Sequence, residues 1–100
     1  MSLPLIFKSL ARFEFDEAVA WYEEERPGLG REFTREVKLA LKRAQANPEP
    51  FQRVRGQARR IRLRRFKKYA IYFAVKDDAF AVLSVFHASR NPAELKRRLE

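Results

Sequence analysis

The chain has 100 residues, no cysteine and a single histidine, and its 22 Lys and Arg outweigh 13 Asp and Glu to give a formal charge of +9. That length fits one domain, residues 1–100, with a core of its own; the lack of cysteine excludes a disulfide framework and thiolate chemistry, and one histidine leaves no ordinary zinc site. A sequence pI near 10.5 points to nucleic acid or an acidic partner chain, and no motif calls for a cofactor or a metal.

Met1 to Leu10 contains a short apolar run without a basic leader or a small-residue cleavage site, so it is not read as a signal peptide. No apolar stretch approaches the ~20 residues that span a bilayer. The expectation is a cytoplasmic protein without membrane contact.

Leu3, Leu5 and Phe7 alternate with Pro4, Ile6 and Lys8, the period of a strand over residues 3–8; Pro4, which cannot donate to a ladder, fits a sheet edge. From Phe13 the period changes. Phe15, Ala18, Val19 and Tyr22 recur at helical spacing with Trp21 beside them, while Glu14, Asp16, Glu17, Glu23, Glu24 and Glu25 fill the opposite side, so a helix with an acidic, solvated face is predicted up to Arg26. Pro27 and Gly28 end it. Leu29, Phe33, Val37, Ala40, Leu41 and Ala44 then mark a second helix running to about Ala46, where Asn47-Pro48-Glu49-Pro50 stops it. The short connection predicts an antiparallel helical hairpin, whose second helix exposes Arg31, Arg35, Lys38, Lys42 and Arg43.

Residues 51–57 read as a loop, and a basic strand follows from Arg59 to Arg65, in which Ile61 and Leu63 alternate with Arg60, Arg62 and Arg64. Tyr69 to Val75 is apolar on both faces and reads as a central strand. Lys76-Asp77-Asp78 is a tight turn, and Phe80 to His87 a further apolar strand, giving a three-stranded antiparallel meander. Asn91-Pro92-Ala93-Glu94 reads as a helix start, with Asn91 as cap and Glu94 placed for a capping box, opening a short basic helix over Ala93–Glu100. The expected architecture is α+β, in the order β-α-α-β-β-β with a short C-terminal helix, the hairpin covering one face of a four-stranded, mainly antiparallel sheet.

The stretch from Arg53 to Lys68 holds nine of the basic residues and no acidic one, so the excess charge is concentrated there. Arg53, Arg55, Arg59, Arg60, Arg62, Arg64, Arg65, Lys67 and Lys68 are therefore the candidates for contact with nucleic acid or a protein target. The plainer alternative is an edge strand whose charge discourages aggregation, a role that needs only one or two charges. Gly28-Leu29-Gly30 lacks the lysine and preceding strand of a phosphate loop and reads as the hairpin turn. The first helix's carboxylates read as a charged surface. His87, followed by Ser89 and Arg90, has two readings: a proton-transfer group with Arg90 or other arginines and Tyr69 or Tyr72 at a scissile RNA phosphate, or a hydrogen-bonded structural residue beside two packing tyrosines.

Ala18-x-x-Trp21-Tyr22-Glu23, Arg26-Pro27-Gly28-Leu29-Gly30-x-x-Phe33, Asn47-Pro48, Arg53-Val54-Arg55-Gly56, Arg64-Arg65-Phe66, Ile71-Tyr72-Phe73 and His87-x-x-Arg90-Asn91-Pro92 together resemble the RelE/ParE superfamily of type II toxin–antitoxin toxins. The resemblance covers nearly the whole chain and implies a compact toxin, made with a cognate antitoxin that wraps it in a heteromeric complex. RelE-like members cleave mRNA on the ribosome with basic sheet residues, an arginine after the last strand and an aromatic in the tail; ParE-like members are associated with inhibition of DNA gyrase. Here Ala88 stands where the nuclease arginine is expected, and Asn91–Glu100 contains no aromatic. The resemblance is therefore closer to the ParE branch and implies a gyrase inhibitor rather than an enzyme. The alternatives are a ribosome-dependent mRNA endonuclease using His87 and Arg90, and a non-catalytic nucleic-acid-binding module.

Overall fold

The computed structural model describes residues 3–100; Met1 and Ser2, part of the N-terminal run read for a leader, lie outside the described residues. Among the described residues three helices and five strands follow in the order β1 (Leu5–Phe7), α1 (Ser9–Glu25), α2 (Leu29–Ala46), β2 (Arg53–Arg55), β3 (Ala58–Arg62), β4 (Tyr69–Lys76), β5 (Ala79–His87) and α3 (Pro92–Arg98). The sheet order is β1-β5-β4-β3-β2, with β1 parallel to β5 and every other pair antiparallel.

The α+β architecture and the hairpin on one face agree with the sequence, and the strand count does not. Five strands form where four were expected, because Arg53–Arg55, assigned to a loop, folds back on Ala58 and Arg59 through a turn at Gly56, whose φ is 55°. Three residues are too few for a periodic signal, which is why β2 was not legible. The basic strand stops at Arg62 rather than Arg65, and α1 begins at Ser9 rather than Phe13. The 76–79 turn is a two-residue hairpin in which Asp77 and Asp78 take φ of 53° and 58°. A left-handed pair matches the twist of the flanking strands, and Asp tolerates it better than most residues.

The helical hairpin closes through Gly28, at φ 90°, and Gly30. A Cβ on Gly30 would lie 2.8 Å from the Val19 carbonyl oxygen, so only glycine lets the helices approach this closely. Glu23 accepts the backbone N–H groups of Gly28 at 2.9 Å and Gly30 at 3.0 Å, placing a carboxylate on the start of α2, where unpaired N–H groups and the helix dipole favour it.

Ile71 and Phe73 of β4, Phe80, Val82 and Val85 of β5 and Ile61 of β3 pack with Phe33, Val37, Leu41 and Ala44 of α2 and Ala11, Ala18 and Tyr22 of α1. Tyr22, Phe33, Phe66 and Tyr69 form an aromatic cluster with ring centroids 4.9 to 5.9 Å apart. Tyr72 and Ala74 are buried on the other face, with Tyr72 beside Pro92, Leu95 and Leu99 of the tail. Thus β4 is covered on both sides, as its unbroken apolar run implied. Among the described residues no helix is long and apolar enough to cross a membrane.

Leu41 is 5% exposed at the interface of α2 with the sheet. Leu41→Ala is expected to lower stability by about 2–5 kcal/mol, read as a shift of the urea midpoint at constant slope.

Candidate functional site

The basic run does not stay together. Arg59 lies on the hairpin side of β3, 13% exposed, and donates to the Phe51 carbonyl at 2.8 Å, the Glu49 carbonyl at 3.0 Å and the Glu49 carboxylate at 3.1 Å. It braces the connection between α2 and β2. Arg60 points to the opposite face, donates to Gln52 at 2.7 Å and packs beside Tyr72, its buried Nε unpaired among the described residues. Arg55 pairs with Glu100 at 2.9 Å; Arg65 pairs with Glu32 at 2.6 Å, and its backbone N–H donates to Glu36. Arg53, Arg62, Arg64, Lys67 and Lys68 are exposed and make no ion pair among the described residues.

Two concavities flank the segment from Leu63 to Lys68. One, of about 460 Å³, lies between α2 and the end of β3, with Ala40 and Leu63 on its floor and Arg43, Arg62, Arg64 and Arg65 around it. The other, of about 370 Å³, has Trp21, Tyr22, Leu29 and Phe66 for walls and Lys67 and Lys68 at its mouth. Lys68 Nζ lies 5.8 Å from the Trp21 ring. Structure thus sorts the candidates into braces (Arg55, Arg59, Arg60, Arg65) and free cations, a division that sequence composition does not contain.

His87 and Arg90 sit where β5 leaves the sheet. The His87 ring meets Tyr69 edge-on at 4.8 Å, and its Nδ1 accepts the Ser89 backbone N–H at 2.9 Å with the Ser89 hydroxyl 2.7 Å away. Burial, with the charges of Lys68 and Arg90, pushes the imidazole pKa down, so the ring is neutral at pH 7 with its proton on Nε2. Arg90 is committed elsewhere. It donates to Glu14 at 2.5 Å and to Glu94 at 2.6 Å, and its guanidinium lies 4.7 Å from the Phe86 ring centre. Asn91 caps α3 by accepting the Ala93 N–H at 3.0 Å, but the capping box does not form, because Glu94 turns to Arg90.

The residue that sequence reading misplaced is Glu14. Assigned to the solvated face of α1, it is 7% exposed. In β5 Phe73 pairs with Val82 but Tyr72 with Ser84, so Leu83 is an extra, bulged residue. At this bulge one Glu14 oxygen accepts the Ser84 hydroxyl at 2.9 Å and the Val85 N–H at 3.0 Å, and the other accepts Arg90 and Arg98, each at 2.5 Å. Arg98 also donates to the Leu83 carbonyl at 2.6 Å. A signal was present: residue 14 falls in phase with the buried Ala11, Ala18 and Tyr22.

A family model described as the ParE toxin of type II toxin–antitoxin systems, parDE, matches residues 5–92, from β1 to the first residue of α3. The chain belongs to the ParE toxin family. A chain of the chromosomal ParDE toxin–antitoxin system from P. aeruginosa shares the fold, with a TM-score of 0.75 at 15% identity over 88% of this chain and 98% of that one. No curated protein matches by sequence. As a ParE-family toxin the chain has a cognate antitoxin for its partner. Glu14 and Arg90 lie within the family match and Arg98 after it.

Burial pushes the Glu14 carboxyl up, but hydrogen bonds from Arg98, Val85 and Ser84 and the Arg98 charge outweigh it and hold the pKa below the usual glutamate value. A depressed folded-state pKa contributes stability above the unfolded value and loses it as pH falls through the folded one. Glu14→Gln is expected to cost roughly 1–3 kcal/mol at pH 7, by leaving Arg98 without its anion and Arg90 with Glu94 alone. The variant's denaturation midpoint is also expected to vary less with pH on the acid side than that of the parent.

Proposed function

We propose that this toxin arrests growth by inhibiting DNA gyrase in the cytoplasm without catalysing a reaction, and that its antitoxin neutralises it in a heteromeric complex. Membership of the ParE family supports the reading. The observation that carries it is the commitment of Arg90. Cleavage of RNA through the 2′-OH needs a proton acceptor and a cation at the developing charge, and the arginine nearest His87 in sequence is bound to Glu14 and Glu94. Ala88 and a tail without aromatics leave the other nuclease positions empty.

The exposed Arg53, Arg62, Arg64, Lys67 and Lys68 are the groups assigned to the target or the antitoxin. An antitoxin segment bearing acidic and aliphatic side chains meets both the arginines and the apolar margin beside them; charge speeds encounter, and buried aliphatics supply most of the affinity.

Purified toxin is expected to block supercoiling by gyrase, and its expression to damage DNA while leaving mRNA ends unchanged. His87→Ala should keep gyrase inhibition within a few-fold, since no proton has to move. A fall of 10²- to 10⁴-fold in mRNA cleavage by that variant, where the parent cuts inside codons, would instead assign His87 and Arg90 to a ribosome-dependent nuclease.

A further inference from the structure

The two concavities beside Leu63–Lys68 share Arg65 as a common wall, so together they form one band around this segment. Arg43, Arg62 and Arg64 line its first part and Lys67 and Lys68 its second, all without an ion pair among the described residues. Of the two carboxylates on the band, Glu36 is occupied by the Arg65 backbone N–H and Glu25 sits at the α1 end. Trp21, the only tryptophan in the chain, stands at that end, 45% exposed, with Lys68 Nζ 5.8 Å from its ring centre.

We infer that this band binds single-stranded nucleic acid, with Arg43, Arg62, Arg64 and Lys67 on successive phosphates and the Trp21 indole as a platform for a base. Grooves that track a charged backbone and end on an exposed aromatic bind single strands in this way, through charge and stacking rather than base-edge readout. A duplex keeps its base faces stacked and offers none to an indole. An acidic antitoxin segment satisfies the same cations, so strand and antitoxin would compete for this band; the exposed indole beside the cations is what favours a nucleic acid as a further ligand. The site goes beyond gyrase inhibition and needs no gyrase to be observed.

The sole tryptophan reports on its own site. Titrating the full-length toxin with oligodeoxythymidylate is expected to quench Trp21 emission saturably. With three to four phosphates neutralised, log affinity should fall against log salt with a slope of about −2 to −3. The double variant Arg62→Glu/Arg64→Glu, changed only at exposed positions, should bind at least tenfold more weakly by fluorescence polarisation of a labelled strand. Should that variant fold poorly, Lys67→Glu carries the same test. Trp21→Leu should weaken binding by about tenfold. Oligouridylate in place of the DNA strand is expected to bind as well, and a clear preference for one of them names the source while supporting the site. No quenching at low salt, unchanged binding by the charge-reversed variants, or polyglutamate quenching Trp21 with equal affinity would overturn the proposal, the last by assigning the band to an acidic protein.

Discussion

The carboxylate of Glu14 holds together parts of the chain that share little else. It reaches from α1 into the bulge of β5 and collects the Val85 N–H, the Ser84 hydroxyl and the guanidinium groups of Arg90 and Arg98. Val85 lies beyond the part of β5 that β1 pairs, residues 80–82, so this side of the strand would otherwise carry an unsatisfied donor. A buried polar group is tolerable only when its bonds are met, and here the acid, the bulge and the two arginines satisfy one another. Because α3 has no buried residue of its own, the ion pairs from Arg90 and Arg98 carry much of what fixes the tail to the sheet.

The excess charge follows a different logic. A basic run placed on a strand has to divide between two faces and two ends, and each environment makes a separate demand. Toward the hairpin, Arg59 finds carbonyls and Glu49 and becomes a brace; toward the tail, Arg60 meets Gln52 and Tyr72. At the end of β3 and just past it, Arg62 and Arg64 flank the buried Leu63 and face solvent. The plainer alternative of an edge strand kept soluble by charge fits β2, with Arg53 and Arg55, better than β3, which is an interior strand.

Long periodic segments were legible. Phe33, Leu41, Ile71 and Phe73, expected inside from their spacing, are buried, and α2, the central strand and the turn at Asp77-Asp78 stand where the pattern put them, while α1 starts four residues earlier. What sequence could not supply were facts that arise between distant residues. Glu14 and Arg98 are 84 positions apart, and nothing local to either one marks a pair. The acidic composition of α1 actively misled, because Glu14 and Glu23 look like their solvated neighbours while one is a core ligand and the other caps α2. The P. aeruginosa chain shows from outside that the fold persists at 15% identity.

The Glu14 network also bears on chemistry. For Arg90 to serve a scissile phosphate near His87 it would have to leave both Glu14 and Glu94. Arg98 alone would then pair with the Glu14 carboxylate. The neutral His87 is already engaged through Nδ1 by Ser89, so the free nitrogen is a donor, Nε2–H, rather than the acceptor that proton abstraction requires. Both groups that a cleavage mechanism would recruit are thus engaged in contacts that keep β5 and α3 in place. Arg62, Arg64, Lys67 and Lys68 make no ion pair among the described residues, so recognition through them leaves the fold's own ion pairs intact.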